Sequence, residues 1–183
     1  MENKLTILKT INFILAVVGI GIYVYLCVAF SSIDSSIILV RFIANIIAFV
    51  AGFVYLLKGY SKQASAYYKV FMWLVLVSQI VETSSIITAN TTLFDAFKNT
   101  INIVLFTLLA GAKDYGKKNT YALAIAVIVF NVYAVIDVAI VAASFGTMAK
   151  MVVIDRLGQL VLAIVAGLMV CGKYADKTAR GTK

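Results

Sequence analysis

The sequence predicts an all-α membrane protein in which six transmembrane helices form one bundle. Three observations lead to this fold class: an apolar composition, six apolar stretches, and basic residues that cluster between alternate stretches. Hydrophobic residues make up 63% of the chain and the mean hydropathy is +1.01, whereas soluble domains are about 45–50% apolar. Six spans in 183 residues leave no room for a soluble domain, so we expect residues 1–183 to form a single domain.

The apolar stretches define the six predicted spans in chain order. They occupy residues 10–30, 37–57, 70–89, 96–112, 120–145 and 151–172. A helix that rises 1.5 Å per residue needs about 20 residues to cross a 30 Å hydrocarbon core. Each stretch except the fourth reaches that length, so five of the six spans follow from length and composition alone.

The first and fourth spans need separate justification. The first follows Lys4 and Lys9, as the apolar region of a signal peptide would, but it is too long and lacks a clear cleavage site, so we expect a retained helix. The fourth is strictly apolar only from Ile103 to Ala112. It is still expected to cross, because otherwise the basic residues that follow it would lie on the wrong side of the membrane.

Twelve of the 16 lysines and arginines lie in four clusters on one side of this pattern. The clusters contain Lys4 and Lys9; Lys58, Lys62 and Lys69; Lys113, Lys117 and Lys118; and Lys173, Lys177, Arg180 and Lys183. The other side keeps Arg41, Lys98, Lys150 and Arg156. Cytoplasmic loops carry an excess of basic residues, so we expect both termini in the cytoplasm. Rich Lys, Ile and Asn usage and small size favour a bacterial cytoplasmic membrane.

The even-numbered spans share a cation followed by an amide near their outer starts. The pairs are Arg41 with Asn45, Lys98 with Asn102, and Arg156 with Gln159. This recurrence is consistent with three helical hairpins as an internal repeat. The chain contains no proline, so we expect continuous helices rather than broken ones.

Ionisable and amide side chains within the spans are the candidate site residues. Glu82 in the third span and Asp137 in the fifth lie roughly 10 and 12 Å below the outer surface. A charge at the centre of a membrane helix costs about 2.5–3.5 kcal/mol on insertion scales, so such groups must pair, meet water or be neutral. We therefore expect an outward-facing polar cavity. Its candidate residues, along a substrate or ion path, are Glu82, Asp137, Arg41, Gln79, Asn131, Asp155 and Arg156.

A structural role for the same residues stays open. Arg41 and Arg156 could extend from near the interface towards water, and Glu82 could bridge helices by pairing with one of them. Tyrosines near the predicted interfaces, such as Tyr23 and Tyr25, are expected to anchor helices there. Alternatively, these two rings could stack on an aromatic ligand in the cavity.

The leading functional hypothesis is a small transporter, channel or solute-binding membrane subunit. Two acids with few countercharges favour a cationic, proton-coupled or amine-bearing solute. The alternative is an accessory or scaffold subunit of a membrane protein complex with no solute site of its own. We expect no enzyme activity, because no nucleophile–base pair or phosphate-binding loop is visible. An intramembrane enzyme stays open as a third class.

Several partners and cofactors are not expected. The chain has no histidine, and Cys27 and Cys171 fall at opposite ends of their spans, so we expect no metal site, no cofactor and no internal disulfide. The net charge of +8 lies in short loops beside the spans, which favours anionic lipid over nucleic acid. Expected partners are the lipid bilayer, a small solute or ion, and a membrane partner subunit or a second copy of the chain.

Overall fold

The computed structural model describes residues 2–30, 36–58, 65–88, 93–111, 116–142 and 147–181. These residues form six α-helices, and no strand occurs among them. The helices are α1 (Glu2–Phe30), α2 (Ser36–Leu57), α3 (Ser65–Thr88), α4 (Leu93–Gly111), α5 (Gly116–Ala142) and α6 (Thr147–Gly181). Each helix runs without interruption through one predicted span, and the last residues of the third, fourth and fifth spans lie outside the described residues. The expected continuity of the helices is therefore confirmed for the residues that the structure describes.

Four of the helices are long and apolar enough to cross a membrane. Their apolar segments are Thr6–Phe30 in α1, Ser36–Leu57 in α2, Lys118–Ile140 in α5 and Lys150–Gly172 in α6. In α4 the apolar part, Ala96–Gly111, is shorter, and α3 carries polar residues in its second half. The structure therefore indicates a helical membrane protein, while crossing by α3 and α4 stays a prediction.

The helices pack in chain order as a closed ring. Each helix contacts the next one, α6 returns to α1, and α6 also touches α2 and α4 across the interior. The packing is closest where α5 meets α6 and loosest where α4 meets α3 and α5. The surface of the ring carries large apolar side chains, including Val28, Ile125 and Ile140, as expected for helices that face lipid.

Opposite charges on neighbouring helices fix which helix ends lie together. Arg41 near the start of α2 pairs with Glu82 near the end of α3, and Lys98 near the start of α4 pairs with Asp137 near the end of α5. These ends belong to the half of the bundle that the topology predicts to face outward. We call it the outer half, and the opposite half the inner half.

Small residues allow close helix contacts in the inner half. A Cβ atom on Gly52 would lie 3.1 Å from the Phe71 ring, and one on Gly167 would lie 3.4 Å from the Ala124 side chain. Phe71 is fully buried, as are Ala163 and Ala166 on α6. Close backbone approach of this kind is how membrane helices gain van der Waals contact without a hydrophobic driving force.

The expected anchoring role is wrong for Tyr23, because its side chain is fully buried in the bundle. The ring packs at 5.8 Å from Phe42 and at 6.1 Å from Phe49, measured between ring centroids. Tyr25, two residues later, is 52% exposed. The two tyrosines therefore face opposite environments, because residues two apart on a helix do not share a face.

Candidate functional site

Three helices bring charged side chains together inside the outer half. Arg41 lies in the second turn of α2, Glu82 in the second-last turn of α3, and Asp155 in the third turn of α6. Since α2 and α3 are antiparallel neighbours and α6 touches α2, these turns meet at one level of the bundle. All three residues are buried, with at most 7% of their surface exposed.

The charged groups form one continuous cluster, which we call the ion cluster: Arg41, Glu82, Asp155 and Arg156. Arg41 places Nη1 3.0 Å from Glu82 Oε2 and donates from Nη2 to Asp155 Oδ2. Arg156 Nη1 lies 2.5 Å from Glu82 Oε1. Both oxygens of the Glu82 carboxylate therefore face a guanidinium.

Gln159 completes the immediate surroundings of Glu82. Its Nε2 donates to Glu82 Oε2 at 2.5 Å, and its Oε1 accepts from Arg156 Nη1 at 2.9 Å. Two arginines and two carboxylates give the ion cluster a formal charge of zero. Burying charge is costly unless every charge is paired and hydrogen-bonded, and this arrangement meets much of that requirement within the bundle.

A chain of amides crosses from α5 to α3 about one turn deeper. Asn131 Nδ2 donates to Asn102 Oδ1 at 3.0 Å and to the Val127 carbonyl at 2.9 Å. Asn102 Nδ2 then donates to Gln79 Oε1 at 2.8 Å. All three amide side chains are buried. Asn102 on α4 therefore joins Gln79 on α3 to Asn131 on α5 by direct side-chain hydrogen bonds.

Asp137 lies outside the ion cluster. Its carboxylate pairs with Lys98 Nζ at 2.6 Å, and the two side chains are 32% and 18% exposed. Of the seven predicted site residues, the structure therefore joins Arg41, Glu82, Asp155 and Arg156 directly. Gln79 and Asn131 lie in the amide chain, and Asp137 pairs with Lys98, so Glu82 and Asp137 share no cation.

Several buried polar atoms in the ion cluster or beside it have no hydrogen-bond partner among the described residues. They are Tyr23 Oη, both amide atoms of Asn45, Ser78 Oγ, Asp155 Oδ1 and Arg156 Nε. Asn45 follows Arg41 by one helical turn, and Ser78 precedes Glu82 by one turn, so both lie on the faces that carry the ion cluster.

Sequence reasoning did not assign Asn45, Ser78, Lys98, Asn102 or Gln159 to the site, and it placed Tyr23 there only as the alternative of a ring stacked on an aromatic ligand. Signals existed for all but Tyr23. Ser78 lies four residues before Glu82, and the recurring cation–amide pairs already contained Asn45, Lys98, Asn102 and Gln159. Residues four apart share a helix face, so a charged residue on a helix predicts that the residue one turn away faces the same site. No such signal distinguishes Tyr23 from Tyr25.

Within the part of the chain that the structure describes, no group of three or more His, Cys, Asp or Glu side chains lies together as a metal site. Comparison with protein-family models, with curated proteins and with solved structures finds no match for this chain. Fold and site together define a helical membrane protein with a buried, charge-balanced ion cluster in one half of its bundle.

Proposed function

We propose that this chain is a small membrane transporter, channel or solute-binding membrane subunit whose site is the ion cluster and the polar atoms beside it. The solute is cationic, proton-coupled or amine-bearing, and it enters from the outer side of a six-span bundle with cytoplasmic termini. One observation carries the proposal. Fully buried polar atoms of Tyr23, Asn45 and Asp155 have no hydrogen-bond partner among the described residues, and each costs about 1–3 kcal/mol unless a polar occupant bonds to it.

Side-chain pairing supports the proposed crossing by α3 and α4. Glu82 is the main obstacle to burying α3 in lipid, and it is 3% exposed and paired with two arginines. Asn102 on α4 is 3% exposed and bonds to both neighbouring helices. Polar groups that face the bundle interior and pair there are tolerated within membranes, so low mean hydropathy does not argue against these two spans.

The Lys98–Asp137 pair suggests a route to the site. It joins α4 to α5 at the outer end and is partly exposed, and α4 is also the helix with the loosest packing. Separating a partly exposed ion pair costs little, about 0–1 kcal/mol. We propose that outward movement of α4 admits the solute, which gives Asp137 a place on the path without direct contact with Glu82.

The test uses Tyr23→Phe, which removes one hydroxyl and leaves all charges in place. Wild-type protein in liposomes is expected to take up at least one of labelled rubidium, methylammonium or a mixture of proteinogenic amino acids. Tyr23→Phe is expected to lower that uptake about tenfold, because a hydrogen bond to the solute is lost. Its melting temperature should stay equal or rise, because an unpaired buried hydroxyl is removed.

Tyr25→Phe is the matched control, since Tyr25 is exposed on the same helix. It should transport as wild type does. If no probe binds to the purified chain and none enters above the level of empty liposomes, or if Tyr23→Phe binds and transports as wild type does, the solute site is refuted.

The alternative is an accessory or scaffold subunit of a membrane complex. The observation that favours it is the complete pairing of the Glu82 carboxylate, which a purely structural clamp between α2, α3 and α6 would also show. In that case the purified chain binds no probe and copurifies with a membrane partner or a second copy. Reversing the charges of Lys113, Lys117 and Lys118, with a topology control, should then release the partner.

A further inference from the structure

We infer that the solute is a zwitterion, with an ammonium group that bonds to Asp155 and an anionic group that bonds to Arg156. This inference rests on the proposed function and narrows its solute class.

Charge balance argues against a bare cation. Glu82 already faces Arg41 and Arg156, and Asp155 already faces Arg41, so the four groups sum to zero. A lone cation added to this buried site would leave a net positive charge away from water, which is costly. A solute with one positive and one negative group keeps the sum at zero.

Two fully buried atoms of the ion cluster have no partner among the described residues, and they are one acceptor and one donor. Asp155 uses Oδ2 for Arg41, while Oδ1 has no partner among the described residues. Arg156 uses Nη1 for Glu82 and Gln159, while its Nε–H likewise has none there. A carboxylate oxygen accepts from an ammonium, and a guanidinium N–H donates to a carboxylate. Asp155 and Arg156 are consecutive in α6, and both side chains reach the ion cluster, Asp155 through Arg41 and Arg156 through Glu82.

Neutral polar groups complete the proposed site. The Tyr23 ring lies against α6, because a Cβ atom on Gly158 would be 3.0 Å from Tyr23 Cζ, the carbon that bears the hydroxyl. Gly158 is one turn beyond Asp155, so the hydroxyl lies at the level of the ion cluster. Tyr23 and Asn45 are both fully buried, and their unbonded atoms offer one hydroxyl and one whole amide. Glycine at position 158 is what admits the tyrosine ring here.

The experiment measures equilibrium binding to the full chain purified in detergent. The zwitterionic probes are the proteinogenic amino acids and γ-aminobutyrate. The single-charge controls for γ-aminobutyrate are n-propylamine, which keeps its ammonium group, and n-butyrate, which keeps its carboxylate. For any amino acid that binds, the controls are its decarboxylated and deaminated analogues. At least one zwitterion is expected to bind about tenfold or more tighter than both of its single-charge analogues, because each loses a charge-assisted hydrogen bond.

Two variants test the assignment of atoms. Arg156→Lys keeps the charge but removes the Nε–H, and it should reduce the preference for the zwitterion over its amine analogue about tenfold. Tyr23→Phe should weaken binding of the zwitterion and of the amine by the same factor, and Tyr25→Phe should change the binding of neither.

The outcomes separate this inference from the proposed function. If an amine binds as tightly as its zwitterion, or if Arg156→Lys leaves the preference for the zwitterion intact, the inference of a zwitterionic solute is refuted. The proposal of a cation or amine transporter then still stands. The inference of a zwitterionic solute is also refuted, and the proposed function also stands, if zwitterions do not bind but labelled rubidium or methylammonium is taken up. If no probe binds and none is taken up, ordered water alone meets these polar atoms and both proposals fall.

Discussion

The outer and inner halves of the bundle hold their helices together by different means. In the outer half, Arg41 and Glu82 belong to a buried ion cluster, and unbonded polar atoms lie beside it. In the inner half, Gly52 and Gly167 bring helices into direct van der Waals contact. Close apolar packing is not easily rearranged, whereas hydrogen bonds and ion pairs can be exchanged for bonds to a solute. Under the proposed function, the inner half acts as a fixed base and the outer half binds the solute.

The halves also differ in how tolerant they should be of substitution. A charge removed from the outer half leaves a buried counter-charge, while a methyl group added to the tightest helix contact must displace a packed ring. Four predictions follow this contrast from the largest effect to the smallest.

Arg41→Met should be the most damaging change. It removes the guanidinium that Glu82 and Asp155 share, so a buried carboxylate loses its cation, and the free energy of unfolding should fall by about 3–5 kcal/mol. Denaturation of the purified protein in mixed micelles measures this. The double variant Arg41→Gln with Asp155→Asn restores the charge balance and should recover most of the loss; equal damage in both would contradict a cluster held by charge.

Gly19→Ala should be next. A Cβ atom at this position would lie 2.2 Å from Phe49 Cζ, and the Phe49 ring is fully buried. Moving a packed ring costs about 1–3 kcal/mol. Gly21→Ala on the same helix is the matched control, because no atom lies within 4 Å of its added Cβ. The control should be neutral or slightly stabilising, and identical thermal melts of the two variants would refute the close contact between α1 and α2.

Asn102→Leu should have an intermediate effect. It breaks the bonds that Asn102 makes to Gln79 and to Asn131, and hydrogen bonds between membrane helices contribute about 0.6–2 kcal/mol each. A double-mutant cycle with Asn131→Leu isolates the second bond, for which we expect a coupling of about 0.6 kcal/mol. Additive effects in the cycle would mean that the two amides do not bond in the membrane.

Asp137→Asn should change stability least. Its partner is Lys98, and both side chains are partly exposed, so the loss should stay below about 1 kcal/mol. Under the proposed function, the variant should instead speed exchange of solute, because the contact that joins α4 to α5 is weaker. Lys98→Gln should behave in the same way. A large loss of stability in either variant would place this pair in the structural core rather than at a movable contact.

Much of the fold could be predicted from the sequence, and less of the site. The six helices follow the apolar stretches, since hydropathy reports directly how residues partition between lipid and water. Glu82, Arg41, Asp155 and Arg156 stood out because charge inside an apolar stretch is costly. That argument says each must find a partner without saying which one. It therefore grouped Glu82 with Asp137, whereas the structure pairs Glu82 with Arg41 and Arg156.

Tyr23 shows the same limit. Its position near the end of an apolar stretch suits an interface anchor as well as a buried residue, and Tyr25 has nearly the same sequence surroundings. The choice between them depends on which face of α1 meets α2 and α6, and the contacts with Phe42, Phe49 and Gly158 make that choice.

By itself the sequence determined that the chain is helical, apolar and suited to a membrane, and which polar residues had to be buried with partners. These properties follow from adding the free energies with which the individual residues transfer between water and lipid. Only the tertiary structure decided that two arginines meet Glu82, that Asp137 is paired elsewhere, and that Tyr23 lies beside the ion cluster. Those outcomes depend on how each helix is rotated and packed, and residue-by-residue hydropathy does not contain that information.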